Sequence, residues 1–354
     1  MRRLNVVSAV VFMVSVVVGS ALGQVQYNVT PLPALPGASY SHPLGINASG
    51  QVVGDSGQLG FLYSGGTMSS VGLPGATFSK ALGINNSGQV VGWSDINEAP
   101  EAFMYTGGAT QDLGNGEAYS INNSGQIVGQ GMTGQQTLFT SGGQRNISDP
   151  IFCSGSACSI NDSGLVAEYG NDAQGFPVSF IYNISNWSFT AVWSGTLVGI
   201  NNSGQAVGST GYPATYGPAT IYNISNNSSL IIYPPTELGI STQTATSPDG
   251  INDSGQVVGT IMAYNSGMQT MVPYHAFLYS NGEATDLNSL IGPTSGWTLT
   301  EATAINDNGW IVGYGTYDGE TAGFLLTPVP EPSAIVLLGI GAVSLLAYVW
   351  RRRC

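Results

Sequence analysis

The sequence predicts an all-β fold, specifically a seven-bladed β-propeller, and three observations carry that expectation. A core of the form Ile-Asn-x-x-Gly occurs seven times, beginning at Ile46, Ile84, Ile121, Ile160, Ile200, Ile251 and Ile305. Each copy is followed by short apolar runs separated by glycine-rich turns, which suits four strands in a unit of about 40 residues. Between residues 24 and 328 no segment shows the period of a useful helix. Successive isoleucines lie 38, 37, 39, 40, 51 and 54 residues apart, so the last two units carry insertions. An open β-solenoid is the competing architecture, but units of such unequal length strain a solenoid more than a propeller with loops on its rim.

Within a unit, each element has a local reason. The motif Asn can bond the backbone ahead of it, and the Gly three residues later supplies the positive φ of a type I turn followed by a bulge. A strand follows as Gln51-Val52-Val53-Gly54, with counterparts at 89–92, 126–129, 205–208 and 256–259. Next comes an aromatic strand, as in Phe61-Leu62-Tyr63, Phe103-Met104-Tyr105 and Phe277-Leu278-Tyr279. Gly65-Gly66, Gly107-Gly108, Gly142-Gly143 and Asn281-Gly282 turn the chain into a last short strand. The runs are continuously apolar where a half-exposed strand would alternate, as expected of strands covered on both faces. The first strand, from Tyr27 to Leu32, is expected to pair with the last, from Phe324 to Pro328, and so close the ring.

This repeat resembles the extracellular HAF repeat, through Gly-Ile-Asn-x-x-Gly-Gln-Val-Val-Gly and the His275-Ala276-Phe277-Leu278-Tyr279 start. The resemblance runs from about Tyr27 to Thr327. Other units replace the histidine, with Glu101, Val178, Pro218 and Ala322, so it is not a shared ligand.

The two ends read as targeting segments. Arg2-Arg3, the apolar run Val6 to Val18 and the small-x-small site Ala21-Leu22-Gly23 predict a signal peptide over 1–23, cleaved before Gln24. Residues 329–354 place Pro330-Glu331-Pro332 before an uncharged stretch, Ala334 to Trp350, and then Arg351-Arg352-Arg353. That order resembles the PEP-CTERM sorting signal. The stretch is long enough for a single transmembrane helix, with the arginines held cytoplasmic. The resemblance implies recognition by an exosortase-type enzyme, a membrane attachment before processing, and delivery to the cell surface or extracellular matrix; a permanent C-terminal anchor that is never cut is the alternative.

Between the ends, residues 24–328 form the expected propeller domain. Only Lys80 and Arg145 remain to set against 19 acidic residues, the twentieth, Glu331, lying in the tail, so the formal balance is −17. Nucleic acid is excluded as a partner, because phosphate neutralisation needs Lys and Arg. Salt bridges cannot carry much of the stability.

No nucleophile elbow, zinc-binding helix or paired-cysteine motif occurs, and His42 and His275 sit in unlike contexts. The Gly129-to-Gly134 stretch matches a dinucleotide fingerprint by letters only and reads as a loop. Asp162, Asp253 and Asp307 replace Asn86, Asn123 and Asn202 after the motif Asn, a structural exchange since both suit the turn. Neither metal nor cofactor is implied. Cys153 and Cys158 bracket a short loop and are candidates for a disulfide in an oxidising compartment. Tyr212, Tyr216, Tyr233, Tyr264, Tyr274 and Trp297 concentrate in the late units. Exposed rings beside polar side chains are how sugars are gripped, so these are the candidate glycan-binding residues.

The sequence therefore points to a non-enzymatic exported protein with a structural or adhesive role at the surface. A carbohydrate-binding propeller that holds extracellular polysaccharide is the alternative, and a secreted glycan-active enzyme a weaker one.

Overall fold

The computed structural model describes residues 25–140, 143–147, 155–171, 177–210, 217–236, 238 and 243–330. The chain divides into a large unit, Val29–Thr327, and a small one made of its two ends. In the small unit the Val329 amide donates to the Gln26 carbonyl at 2.8 Å. The signal peptide at 1–23 and, in the sorting tail, Glu331, Pro332 and everything after them lie outside the described residues; Pro330 is exposed.

The large unit is all-β, a propeller arrangement of five antiparallel sheets with 4, 4, 7, 7 and 4 strands. The sheet that joins the ends runs Tyr27–Leu32, Glu320–Pro328, Ile311–Tyr317, Trp297–Ile305, so first and last strands are neighbours as expected. The next holds His42–Ile46, Val52–Ser56, Leu59–Ser64 and Thr67–Val71. Two seven-stranded sheets follow, from Phe78–Ile84 to Gly143–Asn146 and from Gly155–Ile160 to Ser228–Ile232. The last runs from Thr244–Ile251 to Glu283–Asp286, before a 3-10 turn at Leu287–Leu290.

The expectation of a seven-bladed propeller with a C-terminal transmembrane helix is thereby corrected. Ala109–Ile121 and Ser188–Ile200 each run unbroken for 13 residues, ending one group of four strands and opening the next. Two pairs of repeats therefore fuse, and seven copies of the hairpin yield five sheets. The links explain it. Pro33 and Pro36, Pro74, and Pro234-Pro235 interrupt the connections after Leu32, Val71 and Ile232, whereas the two fused strands contain no proline. Gly114, Gly116 and Gly195 instead let the backbone pass from one group to the next with φ of 88°, 128° and 151°. Among the described residues no helix is long and apolar enough to cross a membrane. The expected span, Ala334 to Trp350, lies outside them, and the expectation of a membrane anchor gains no support.

Burial on both faces is why the second strand of each unit is continuously apolar. Val52 with Val53, Val90 with Val91, and Val257 with Val258 are each 0% exposed, one residue facing each neighbouring layer. Phe61, Phe103, Phe277 and Phe324 on the following strand are likewise fully buried. The glycine that closes Val-Val-Gly answers to a close approach. A Cβ on Gly92 would collide with the Lys80 carbonyl oxygen of the strand beside it.

Candidate functional site

All seven Ile-Asn-x-x-Gly turns converge on the axis of the large unit. In each, the motif Asn accepts from the backbone with its Oδ1. Asn47 Oδ1, for example, takes the amides of Ser49 at 3.1 Å and Gln51 at 3.0 Å. The glycine closing each turn has a φ between 73° and 78°. The Nδ2 group then makes a bond that no local pattern announces. It donates to the backbone carbonyl of the motif Asn in the next unit: Asn47 to Asn85 at 3.0 Å, Asn85 to Asn122 at 3.1 Å and Asn122 to Asn161 at 2.9 Å. The series continues with Asn161 to Asn201 at 3.0 Å, Asn201 to Asn252 at 2.8 Å and Asn252 to Asn306 at 3.1 Å. Asn306 closes the ring on Asn47 at 2.9 Å.

The second Nδ2 hydrogen goes to the Gln that opens the following strand, at 2.8 Å for Gln51 and 2.7 Å for Gln89. The buried amide is then fully satisfied, as burial of a polar group requires. Leu165 and Trp310 hold the Gln position in the fourth and seventh units and cannot accept this bond.

A second, exposed chain of bonds runs beside the first. The Ala48 amide donates to Asn86 Oδ1, Asn86 to Asn123, Asn123 to Asp162, Asp162 to Asn202, Asn202 to Asp253 and Asp253 to Asp307, at 2.7–2.9 Å. What the position needs is an Oδ1 acceptor, and this accounts for the free exchange of Asn and Asp. The chain is open where Ala48 offers no side-chain oxygen; there Asn308 Nδ2 donates to the Ala48 carbonyl at 2.9 Å.

The isoleucines that precede the motif Asn residues border two cavities on the axis, all seven the first and all but Ile160 the second. One, of about 170 Å3, is lined by the amide ring. The other, of about 300 Å3, lies on the inner-strand side. Each inner strand has a bulge before its Ile-Asn pair, and the bulged residues are Leu44, Leu82, Tyr119, Cys158, Val198, Asp249 and Thr303. A bulged residue leaves the ladder and is re-aimed, and six of these seven line the larger cavity. Asp249 is the one carboxylate there.

Burial pushes the Asp249 carboxyl well above the ordinary range, and the charge of Glu301 pushes it further; a long 3.5 Å contact from Thr260 Oγ1 only partly opposes them. Glu301 Oε2 in turn accepts from Tyr314 Oη at 2.8 Å. Burial first, then that bond and the charges of Glu301 and Asp249, raise the Tyr314 phenol. His42 meets the Tyr314 ring edge-on at 4.8 Å and lies 3.4 Å from Asp55, which also faces Lys80 at 3.7 Å. None of Asp249, Glu301 and Tyr314 stood out in the sequence. The signal was the column of residues two places before each motif Asn's isoleucine, in which a single carboxylate stands among leucine, valine, tyrosine, cysteine and threonine.

The nominated glycan-binding residues separate. Tyr233 and Tyr264 come together in a third cavity, of about 450 Å3, at the side of the large unit. Tyr274 instead stacks on His275 at 4.0 Å and packs against the core, while His275 Nδ1 meets Asp286 Oδ2 at 2.6 Å. Trp297 stacks on Tyr317 at 5.0 Å. Tyr212 and Tyr216 lie outside the described residues, as do Cys153, the side chain of Cys158, and Arg351, Arg352 and Arg353. Among the described residues no group of three or more His, Cys, Asp or Glu side chains is placed to hold a metal.

Comparison with solved structures supports the fold alone. The β-propeller domain of the Trilobed protease from Pyrococcus furiosus matches at 11% identity over 83% of this chain and 99% of that one, with a TM-score of 0.51. A puromycin-hydrolyzing peptidase of Mycobacterium tuberculosis matches at 10% identity over 86% of this chain and 55% of that one, with a TM-score of 0.50. TolB from Acinetobacter baumannii aligns at 12% identity over 53% of this chain and 52% of that one, with a TM-score of 0.41. The chain thus spans about half the length of two of the three. No curated protein matches the sequence. Residues 328–353 match the PEP-CTERM protein-sorting motif, a signal that implies export and sorting by exosortase.

Proposed function

We propose that this protein is a structural and adhesive component of the cell surface or extracellular matrix, with no catalytic role of its own. The observation that carries the reading is the sorting signal at 328–353, placed directly after an all-β domain. A domain whose repeats are tied to one another by a closed ring of buried amides suits a scaffold that must keep its shape outside the cell. The repeats' similarity to extracellular HAF units agrees with this.

The test is made in a host that has an exosortase. The full-length protein is expected in the surface and matrix fractions, with a mature form that starts at Gln24 and ends between Val329 and Ser333 by mass spectrometry. A variant lacking residues 329–354 is expected in the medium. Recovery of the full-length chain in the medium, at the same level as the truncated one, would overturn the reading. Carbohydrate binding is a second reading, favoured by the cavity that unites Tyr233 and Tyr264.

A further inference from the structure

Tyr233 follows the edge strand Ser228–Ile232 and at 70% is the most exposed aromatic ring among the described residues. Across from it, Tyr264 is 38% exposed near the end of the strand Val257–Asn265. That strand and its partner, Thr270–Ser280, extend well beyond the five residues common elsewhere, and the added length is the insertion that stretches this unit. It forms one wall of the cleft. The Tyr264 amide donates to the Gln243 carbonyl at 2.9 Å, which fixes Gln243 beside it. Gln269, with φ of 54°, is held left-handed at the hairpin end.

The cleft so formed is about 450 Å3, within the range of small-ligand sites. Its polar groups are amides and hydroxyls, those of Gln243, Gln269, Thr244 and Thr270, and among the described residues no charged one lines it. A sugar ring presents one apolar face and a rim of hydroxyls. Two exposed phenol rings offer the stacking surface, and side-chain amides offer both donors and acceptors to the rim. The acidic balance of the domain, −17, repels polyanions at long range.

We propose that this cleft binds an uncharged glycan chain, with Tyr233 and Tyr264 as stacking platforms and Gln243 and Gln269 as hydrogen-bonding partners. The inference deepens the carbohydrate-binding reading and says what kind of polysaccharide the surface protein meets.

Affinity electrophoresis of the purified full-length chain tests it with hydroxyethylcellulose-, xylan-, mannan- and dextran-containing gels, with alginate as the polyanion. Calorimetry on the best neutral probe follows. Retardation by at least one neutral polymer, and none by alginate, is expected. Tyr233→Ala and Tyr264→Ala should each weaken binding about tenfold or more. Phe189→Ala, an exposed ring outside the cleft, should leave it unchanged, and all three variants should melt with the parent. No retardation by any neutral polymer, preference for alginate, or equal affinity in the tyrosine variants would overturn the proposal. Because this readout uses purified protein, it fails independently of the export experiment.

Discussion

Asn306 and Asn47 lie 259 positions apart in sequence, and the side-chain amide of the first donates to the backbone carbonyl of the second at 2.9 Å. Three bonds of the Asn306 side chain follow from its own turn and from this closure. The first prediction concerns such residues. Asn122→Ala strands several buried donors and acceptors at once and should destabilise the fold by about 1–3 kcal/mol. Asn123→Ala, on the exposed chain of bonds, should cost less than about 1 kcal/mol. Urea denaturation of the two variants beside the parent would show whether the buried ring outweighs the exposed one.

The next concerns glycine. Gly92→Ala places a methyl group against the Lys80 carbonyl and cannot be absorbed without moving a backbone, so the variant should fail to accumulate as folded protein. Gly66→Ala, with φ of 87° and open space around it, should cost only about 1 kcal/mol of backbone strain. Similar yields and melting temperatures for both would contradict the role assigned to Gly92.

Asp249 gives a pH signature. Its folded carboxyl titrates well above the unfolded value of about 3.9. Between those two values the folded state holds the extra proton, so stability falls as pH rises across that window and levels off above it. Asp249→Asn should flatten this slope and leave the neutral-pH protein no less stable. An unchanged slope in melting scans from pH 4 upward would rule out Asp249 as its source.

Asp286 should behave oppositely. Burial alone would raise its carboxyl, but the bonds from His275 and Asn288 outweigh that and hold it below the ordinary range. Its contribution is therefore present above the unfolded value of about 3.9 and disappears as pH falls through the lower folded one. Asp286→Asn should remove stability at neutral pH and reduce the loss on acidification. Parallel acid-unfolding curves for variant and parent would count against it.

The repeat was legible because its signals are local. Glycine at a left-handed turn, paired valines and an aromatic third strand each leave a mark within a few residues. The fusion of units at Ala109–Ile121 and Ser188–Ile200 was written in the absence of proline, a weaker mark than its presence. The amide ring was hidden for a different reason. Asn47 meets Asn85 only after 38 residues of chain have gone out and returned, so a turn residue and a structural clamp look alike in sequence. A recurring Asn-x-x-x-Gln pair was the available hint, since a turn alone has no use for the Gln. Aromatic residues show a similar limit: Tyr233 and Tyr264 share a cleft while Tyr274 and Trp297 serve packing, a distinction made by insertions folding back on themselves.

The seven bonds of the amide ring span only 2.8 to 3.1 Å. Every link is made at ordinary hydrogen-bond length, and the circle closes with seven. A gene that gained or lost a single copy of the repeat would encode a circle whose every chord had to change, and the error would be shared by all units and confined to none. The ring therefore acts as a counter. It makes repeat number a property selected as a whole, while loops on the rim remain free to lengthen, as those of the last two units have done.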